Sequence, residues 1–203
     1  KKKMISVTSS NYNSLELVRQ KSYVIASDIT LADIENLLRT VPLEQEPSIS
    51  FPQANSMSRI INLIELLHEK PMTKQDITTE YAFDERQTNY YTDAGRYLGF
   101  IEKTGAHRNG AITFRLSSLG HYMMELGYRE RQLAIVTQIL KHRAFRETLK
   151  VCLRCGEMPD TGTVVDIMKR SQLFQVKSES TFVRRSSTIV GWIRWVLSVV
   201  EMG

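Results

Sequence analysis

Apolar residues recur along most of this chain at intervals of three and four, separated by polar stretches rich in cap and turn residues, a pattern that predicts a mainly helical protein. Near the start, Tyr23-Val24-Ile25-Ala26 reads as a short strand, and Thr30 as the N-cap of a helix carrying Leu31, Ile34, Leu37 and Leu38. Pro42, Pro47 and Pro52 bar a continuing helix, so residues 41–52 read as an extended connector. Ser56 caps the next helix, whose apolar positions Ile60, Ile61, Leu63, Ile64, Leu66 and Leu67 cover more than one face before Lys70-Pro71 ends it. Thr73, with Asp76 three residues on, caps a short helix reaching Glu80. Asp84 caps a third, with Tyr91, Ala94 and Leu98 on one face and Gly99 as its stop. Phe100 to Lys103 and Ile112 to Leu116 then read as two strands of a hairpin around a Gly/Asn turn at 105–110.

Further on, Ser118 starts a helix through Met124, and Arg131 to His142 continues as a connecting helix. Phe145 to Cys155 is amphipathic and is stopped by Gly156 and Pro159. Thr161 or Thr163 caps a short helix with Val164, Val165, Ile167 and Met168; Ser178 or Ser180 opens the last long one. There Ile189, Ile193 and Val196 form an inward stripe, to which Trp192 adds bulk.

An internal echo organises these elements. Arg96-Tyr97-Leu98-Gly99-Phe100-Ile101-Glu102-Lys103-Thr104-Gly105 recurs in pattern as Arg194-Trp195-Val196-Leu197-Ser198-Val199-Val200-Glu201-Met202-Gly203. The same offset lays Arg86-Gln87-Thr88-Asn89-Tyr90-Tyr91 over Arg184-Arg185-Ser186-Ser187-Thr188-Ile189, so the chain reads as two copies of one module. Helix, helix, helix, hairpin is the order of a winged helix, with His107, Arg108 and Asn109 at the tip of its wing. The expected fold is mainly α with small β-hairpin wings, as tandem winged-helix (helix-turn-helix) domains. The expected units are an N-terminal segment with its Pro-rich connector (1–55), a first module with a connecting helix (56–141) and a second module (142–203). The second wing is absent, or lies beyond Gly203.

Composition narrows the function. A 42% hydrophobic content with eight Tyr, seven Phe and two Trp is enough for a buried core. The formal charge of +5 is concentrated after residue 141, where 10 basic face 6 acidic side chains, which permits attraction to a polyanion without specifying one. No apolar run approaches the roughly 18 residues of a membrane span, and Lys1-Lys2-Lys3-Met4 is not followed by a signal-peptide core. Two cysteines are too few for a disulfide framework and fit a reducing compartment, so a cytoplasmic location is expected.

The residues of the two polar helix starts resemble the tandem winged-helix specificity modules of type II restriction endonucleases. The resemblance lies in Glu85-Arg86-Gln87-Thr88-Asn89-Tyr90-Tyr91 with the trailing Tyr97-Leu98-Gly99-Phe100-Ile101, and in Arg184, Arg185, Thr188 and Trp192; it covers about Pro42 to Gly203. It implies recognition of a short duplex sequence, with cleavage performed by a nuclease domain elsewhere in the same full-length protein. Mg²⁺ would then belong to that domain, and no cofactor to this chain.

In that reading Arg86, Gln87, Asn89 and Tyr90 in the first copy, and Arg184, Arg185, Ser187 and Thr188 in the second, lie at helix starts that enter a major groove. Arg suits guanine O6/N7, and Asn or Gln suits adenine. The same residues also fit the solvated faces of two surface helices, and Asp84 and Glu85 oppose phosphate beside Arg86. Arg108 and Asn109 would touch phosphate or a minor groove, and Lys169, Arg170 and Lys177 would form a phosphate clamp. Cys152 and Cys155 lack the further ligands that zinc needs and read as small core residues on one helix face. No lysine has Asp or Glu two positions before it, as a (D/E)-x-K nuclease pair requires, and the nearest grouping, Asp160, Asp166 and Lys169, has the wrong spacing. The chain is therefore expected to bind double-stranded DNA without catalysing a reaction. A bacterial or phage regulator acting as a homodimer, and a protein-interaction scaffold with an apolar patch near Trp195, use the same fold and stay open.

Overall fold

Side-chain caps set most of the helix starts. The computed structural model describes residues 29–81, 83–105 and 112–200. Thr30 caps α1 (Leu31–Thr40) in a reciprocal box with Asp33, and Ser56 caps α2 (Met57–Glu69). Thr73 and Asp84 make the same kind of box with Asp76 and Gln87, starting α3 (Lys74–Glu80) and α4 (Glu85–Tyr97). Gly99, at φ +79°, then turns the chain into β2 (Ile101–Thr104), which pairs antiparallel with β3 (Thr113–Leu116), Ile101 opposite Leu116 and Thr104 opposite Thr113.

A two-residue strand, β1 (Met72–Thr73), is absent from the sequence reading. It adds to the free edge of β3, Met72 opposite Phe114, and makes a three-stranded antiparallel sheet of order β1-β3-β2. Two residues are too few to carry an alternating pattern, and only the tertiary partner defines them.

The remaining elements are all helical: α5 (Ser118–Glu125), α6 (Tyr128–Leu140), α7 (Arg143–Cys155), α8 (Thr161–Arg170) and α9 (Glu179–Ser198). Helix α5 starts at Ser118 as expected, with Ser117 as its cap accepting from the Gly120 N–H; one cap moves, since Asp160, not Thr161 or Thr163, caps α8 by accepting from the Thr163 N–H. Ser178 is the cap of α9. The protein is thus mainly helical with one small antiparallel sheet.

The core joins the two halves of the chain. Ile60, Leu63, Ile77 and Ala94 from the first half, and Phe145, Val164, Ile189, Trp192, Ile193 and Val196 from the second, are fully buried in one continuous apolar cluster. At its centre Trp192 stacks on Phe145 with centroids 4.7 Å apart, Phe145 stacks on Phe51 at 5.6 Å, and Phe51 meets Tyr97 edge-on. The Pro-rich segment supplies Phe51 to this stack, so the connector is part of the core. Burial of four large rings on this scale is worth several kcal/mol, about 1.5–3 kcal/mol for each.

Segment 52–55 also docks the last helix. The Thr188 hydroxyl donates to the Pro52 carbonyl at 3.2 Å and the Trp192 indole to that of Ala54 at 2.7 Å. Between them Gly191 lies so close that a Cβ there would sit 2.1 Å from the Asn55 carbonyl oxygen, which only glycine avoids. A single parallel bridge, Ile29 with Val200, brings the two ends of the described chain together. The expected strand at Tyr23–Ala26 lies outside the described residues.

Candidate nucleic-acid interface

The two polar helix starts each present exposed polar side chains. On α4, Arg86 and Asn89 are exposed and Gln87 and Tyr90 half-buried; on α9, Arg184 and Ser187 are exposed and Arg185 half-buried. Arg185 of α9 lies near Tyr90 and Asp93 of α4. Burial, then the adjacent Arg184 charge, press Arg185 below the usual arginine range, against the opposing pull of Tyr90 and Asp93. Its Nε and Nη1 are covered and have no hydrogen-bond partner among the described residues. Asp93 itself is occupied by Arg96 at 2.9 Å.

Neighbouring charges are mostly spoken for. Lys74 reaches Glu85 at 3.2 Å, offsetting one of the two carboxylates that oppose phosphate at the start of α4. Gln87 is committed to the cap: its amide oxygen accepts from the Asp84 N–H at 3.4 Å. Ser187 is exposed, with its hydroxyl donating back to the Arg184 carbonyl at 2.9 Å. Arg86, Asn89 and Arg184 keep their polar ends towards solvent, with no ion pair to any described carboxylate for either arginine.

Three sequence expectations need correction. Thr188 is fully buried and bonded to Pro52, so it is an interior docking residue and presents nothing to a ligand. Its position four residues before Trp192 and next to Ile189 is the helical signal that marks it as inward-facing. The phosphate clamp does not form as a unit: Lys169 is paired with Glu179 at 2.7 Å across the α8–α9 junction and Arg170 lines a cleft against α7, while Arg170 and Lys177 are both exposed without an ion pair among the described residues. Finally, Cys152 is buried and Cys155 exposed, so the pair does not share one core face. Burial pushes the Cys152 thiol up, away from reactivity.

His107, Arg108 and Asn109 of the expected wing tip lie outside the described residues. Among the described residues no group of three or more His, Cys, Asp or Glu is placed to hold a metal ion, and no helix is long and apolar enough to cross a membrane. Asp160, one of the acidic residues weighed as a nuclease ligand, is a helix cap.

Sequence reasoning missed the support behind α4. Arg59 of α2 lies over Phe83, 4.8 Å from the ring centroid, and over Tyr91 at 5.5 Å; Phe83 stacks on Tyr91 at 5.1 Å and meets Tyr81 at a tilt, with centroids 4.6 Å apart. These rings fix the loop into α4 from behind. Phe83 directly before the Asp84 cap and Tyr91 on the apolar face of the helix were the signals that could have exposed it.

The chain belongs to the DUF7226 family, described as a domain of unknown function, which matches residues 59–201. The match begins within α2 and takes in α4, the sheet and all of α9. No curated protein and no solved structure matches the chain.

Proposed function

We propose that this chain reads double-stranded DNA through two winged-helix modules, as the specificity part of a type II restriction endonuclease whose nuclease lies outside it. The observation that carries this reading is Arg185, a guanidinium near Tyr90 and Asp93 of α4 with two covered donors unpaired. Arg185 thus adds positive charge at a covered position, and the exposed Arg184 beside it offers the free donors that guanine edges and phosphate oxygens accept.

The order of elements supports the same reading. Helix α2, strand β1, helices α3 and α4 and the β2–β3 hairpin follow one another as in a winged helix, with the three strands in one sheet. Helices α7, α8 and α9 repeat the helical part. Helices α4 and α9 then enter the groove: Arg86, Asn89, Arg184 and Ser187 are the groups exposed to base edges, Tyr90 and Arg185 are half-buried beside them, and Lys177 anchors phosphate. A bidentate contact of this kind discriminates by about 1–3 kcal/mol. In this reading any Mg²⁺ belongs to the nuclease domain, and the protein acts in the bacterial cytoplasm.

The test is the affinity for a mixed-sequence duplex measured by fluorescence anisotropy across a salt series. The reading requires log K to fall linearly with log salt; a flat response, or no binding at low salt, removes it.

A homodimeric regulator is favoured by one observation: Tyr122 on α5 and Tyr128 at the start of α6 stand 59% and 69% exposed, two large rings that a second copy would cover. Sedimentation decides between the two, since a monomer on an asymmetric site excludes the dimer.

A further inference from the structure

Three arginines away from the starts of α4 and α9 line one cleft. Arg143, Glu147, Val151 and Arg154 fall at i, i+4, i+8 and i+11 on α7, a single helix face, and opposite them stands Arg170 in the last turn of α8. Between the helices lies a cleft of about 310 Å³ that contains all three guanidinium-bearing side chains, with Val151 and Ile167 as its apolar lining. A second cleft, of about 430 Å³, adjoins it through the shared Arg143, Arg170 and Ser171 and extends under the Pro-rich segment to Phe174.

Every carboxylate lining these clefts already has a partner. Glu147 takes Lys150 at 3.0 Å, Glu44 takes Lys141 at 2.9 Å, and Glu46 accepts the Tyr97 hydroxyl at 2.6 Å with His142 Nδ1 at 3.4 Å on its other oxygen. No described carboxylate lies within ion-pairing distance of Arg143, Arg154 or Arg170. Three positive charges therefore face the clefts without an ion-pair partner among the described residues; Glu147 and Glu44 are paired with lysines, while Glu46, whose Oε1 is covered and without a hydrogen-bond partner, keeps one negative charge at the edge of the second cleft.

The wall of the second cleft is built with some strain. Gln172 and Gln175 hold left-handed backbone at φ 54° and 57°, and Ser50 fixes the loop by donating to the Gln175 side chain at 2.6 Å. That loop presents the Phe174 ring, 39% exposed, at the cleft.

We propose that the paired clefts between α7, α8 and the Pro-rich segment bind a phosphorylated small molecule of the nucleotide class, its phosphates forked between Arg143, Arg154 and Arg170 and its planar ring against Phe174. Guanidinium groups match phosphate oxygens two by two, and the cleft volumes fall in the range of small-ligand sites. Duplex DNA offers its phosphates on a convex ridge, which suits the exposed starts of α4 and α9; three arginines around an apolar-lined hollow suit a compact anion. This site stands apart from the proposed DNA reading and survives its failure.

Calorimetric titration of the whole chain with pyrophosphate and with adenosine 5′-diphosphate tests it without any duplex present. Saturable one-site binding is expected for both, weakened at least tenfold by Arg143→Gln and by Arg170→Gln and unchanged by Arg184→Gln. Phe174→Ala weakens the adenosine diphosphate and spares pyrophosphate; an equal loss for the two overturns the placement of the ring. The substituted arginines are exposed, and thermal melts confirm that each variant is folded. Absence of saturable binding to either probe, or affinity unaltered in both arginine variants, overturns the site. So does a loss confined to duplex DNA in those variants, which makes the arginines part of the DNA surface.

Discussion

Trp192 donates its indole N–H to the Ala54 carbonyl at 2.7 Å inside the core, tying the middle of the last helix to the Pro-rich segment. Trp192→Phe keeps most of the ring stack and leaves that carbonyl unpaired, at a cost of about 1–3 kcal/mol. Urea melts of the purified variant measure it, and an unchanged midpoint rejects the bond as a stabilising contact. Gly191→Ala is destabilising too, because the new methyl meets the Asn55 carbonyl at 2.1 Å and backbone must move.

Thr188 separates a docking role from a DNA-contacting role. Its hydroxyl serves the Pro52 carbonyl at 3.2 Å, so Thr188→Val lowers stability by about 1–3 kcal/mol, the penalty of an orphaned buried acceptor. Duplex affinity of the folded variant stays at the wild-type level. A sequence-dependent loss of affinity at unchanged stability contradicts the interior assignment.

Acid and alkali act on different groups. Backbone N–H donation from Thr30 holds the Asp33 carboxyl below its ordinary value of 3.8, and donation from Thr163 does the same for Asp160. The native chain then binds fewer protons than the unfolded one, so the stability these caps contribute is complete above the ordinary carboxyl pKa and is lost as pH falls through the depressed native values. Burial, then the Glu46 charge, holds the Tyr97 phenol well above its ordinary 10.0, and burial with Glu65 pushes Tyr81 up to about 12. That contribution is present below the ordinary phenol pKa and is lost as pH rises through the raised ones. Urea midpoints from about pH 3 to 11 map both limbs; Asp33→Asn flattens the acid one and Tyr97→Phe the alkaline one.

At the proposed interface, Arg184 and Lys177 have different expected signatures. Arg184→Ala relaxes selection at one base pair by about 1–3 kcal/mol. Lys177→Ala weakens binding evenly on all sequences and reduces the salt slope by about one. Competition binding against single-base variants of a selected site tells the two apart, and an even loss for Arg184→Ala makes it a phosphate contact.

Much of the local structure was legible, because caps act through neighbours in sequence. Thr30, Ser56, Thr73, Asp84 and Ser178 start their helices where their side chains predict. Asp160 was hidden by Thr161 and Thr163, two further cap-competent residues in the same run; the ionised carboxylate takes the cap, and Thr163 becomes a donor to it. Long-range facts left weaker marks. Proline forbids helix at 41–52 but says nothing of what Phe51 packs on, and β1 exists only through Phe114 and Thr113. For the candidate interface, sequence placed Arg86, Asn89, Arg184 and Ser187 on exposed helix starts, while the nearness of Arg185 to Tyr90 and Asp93 and the separation of Lys169 from Arg170 depend on how helices pack. The arginine pair at 143 and 154 was readable as one face of α7, and only the opposing Arg170 gives it meaning.

Selection from a randomised duplex pool at two salt concentrations, followed by sequencing of the retained fraction, addresses DNA reading most directly. The account predicts enrichment of one short motif, with retention falling as salt rises and with the motif altered at a single position by Arg184→Ala. Retention without any enriched motif, or no retention even at the lower salt, contradicts it.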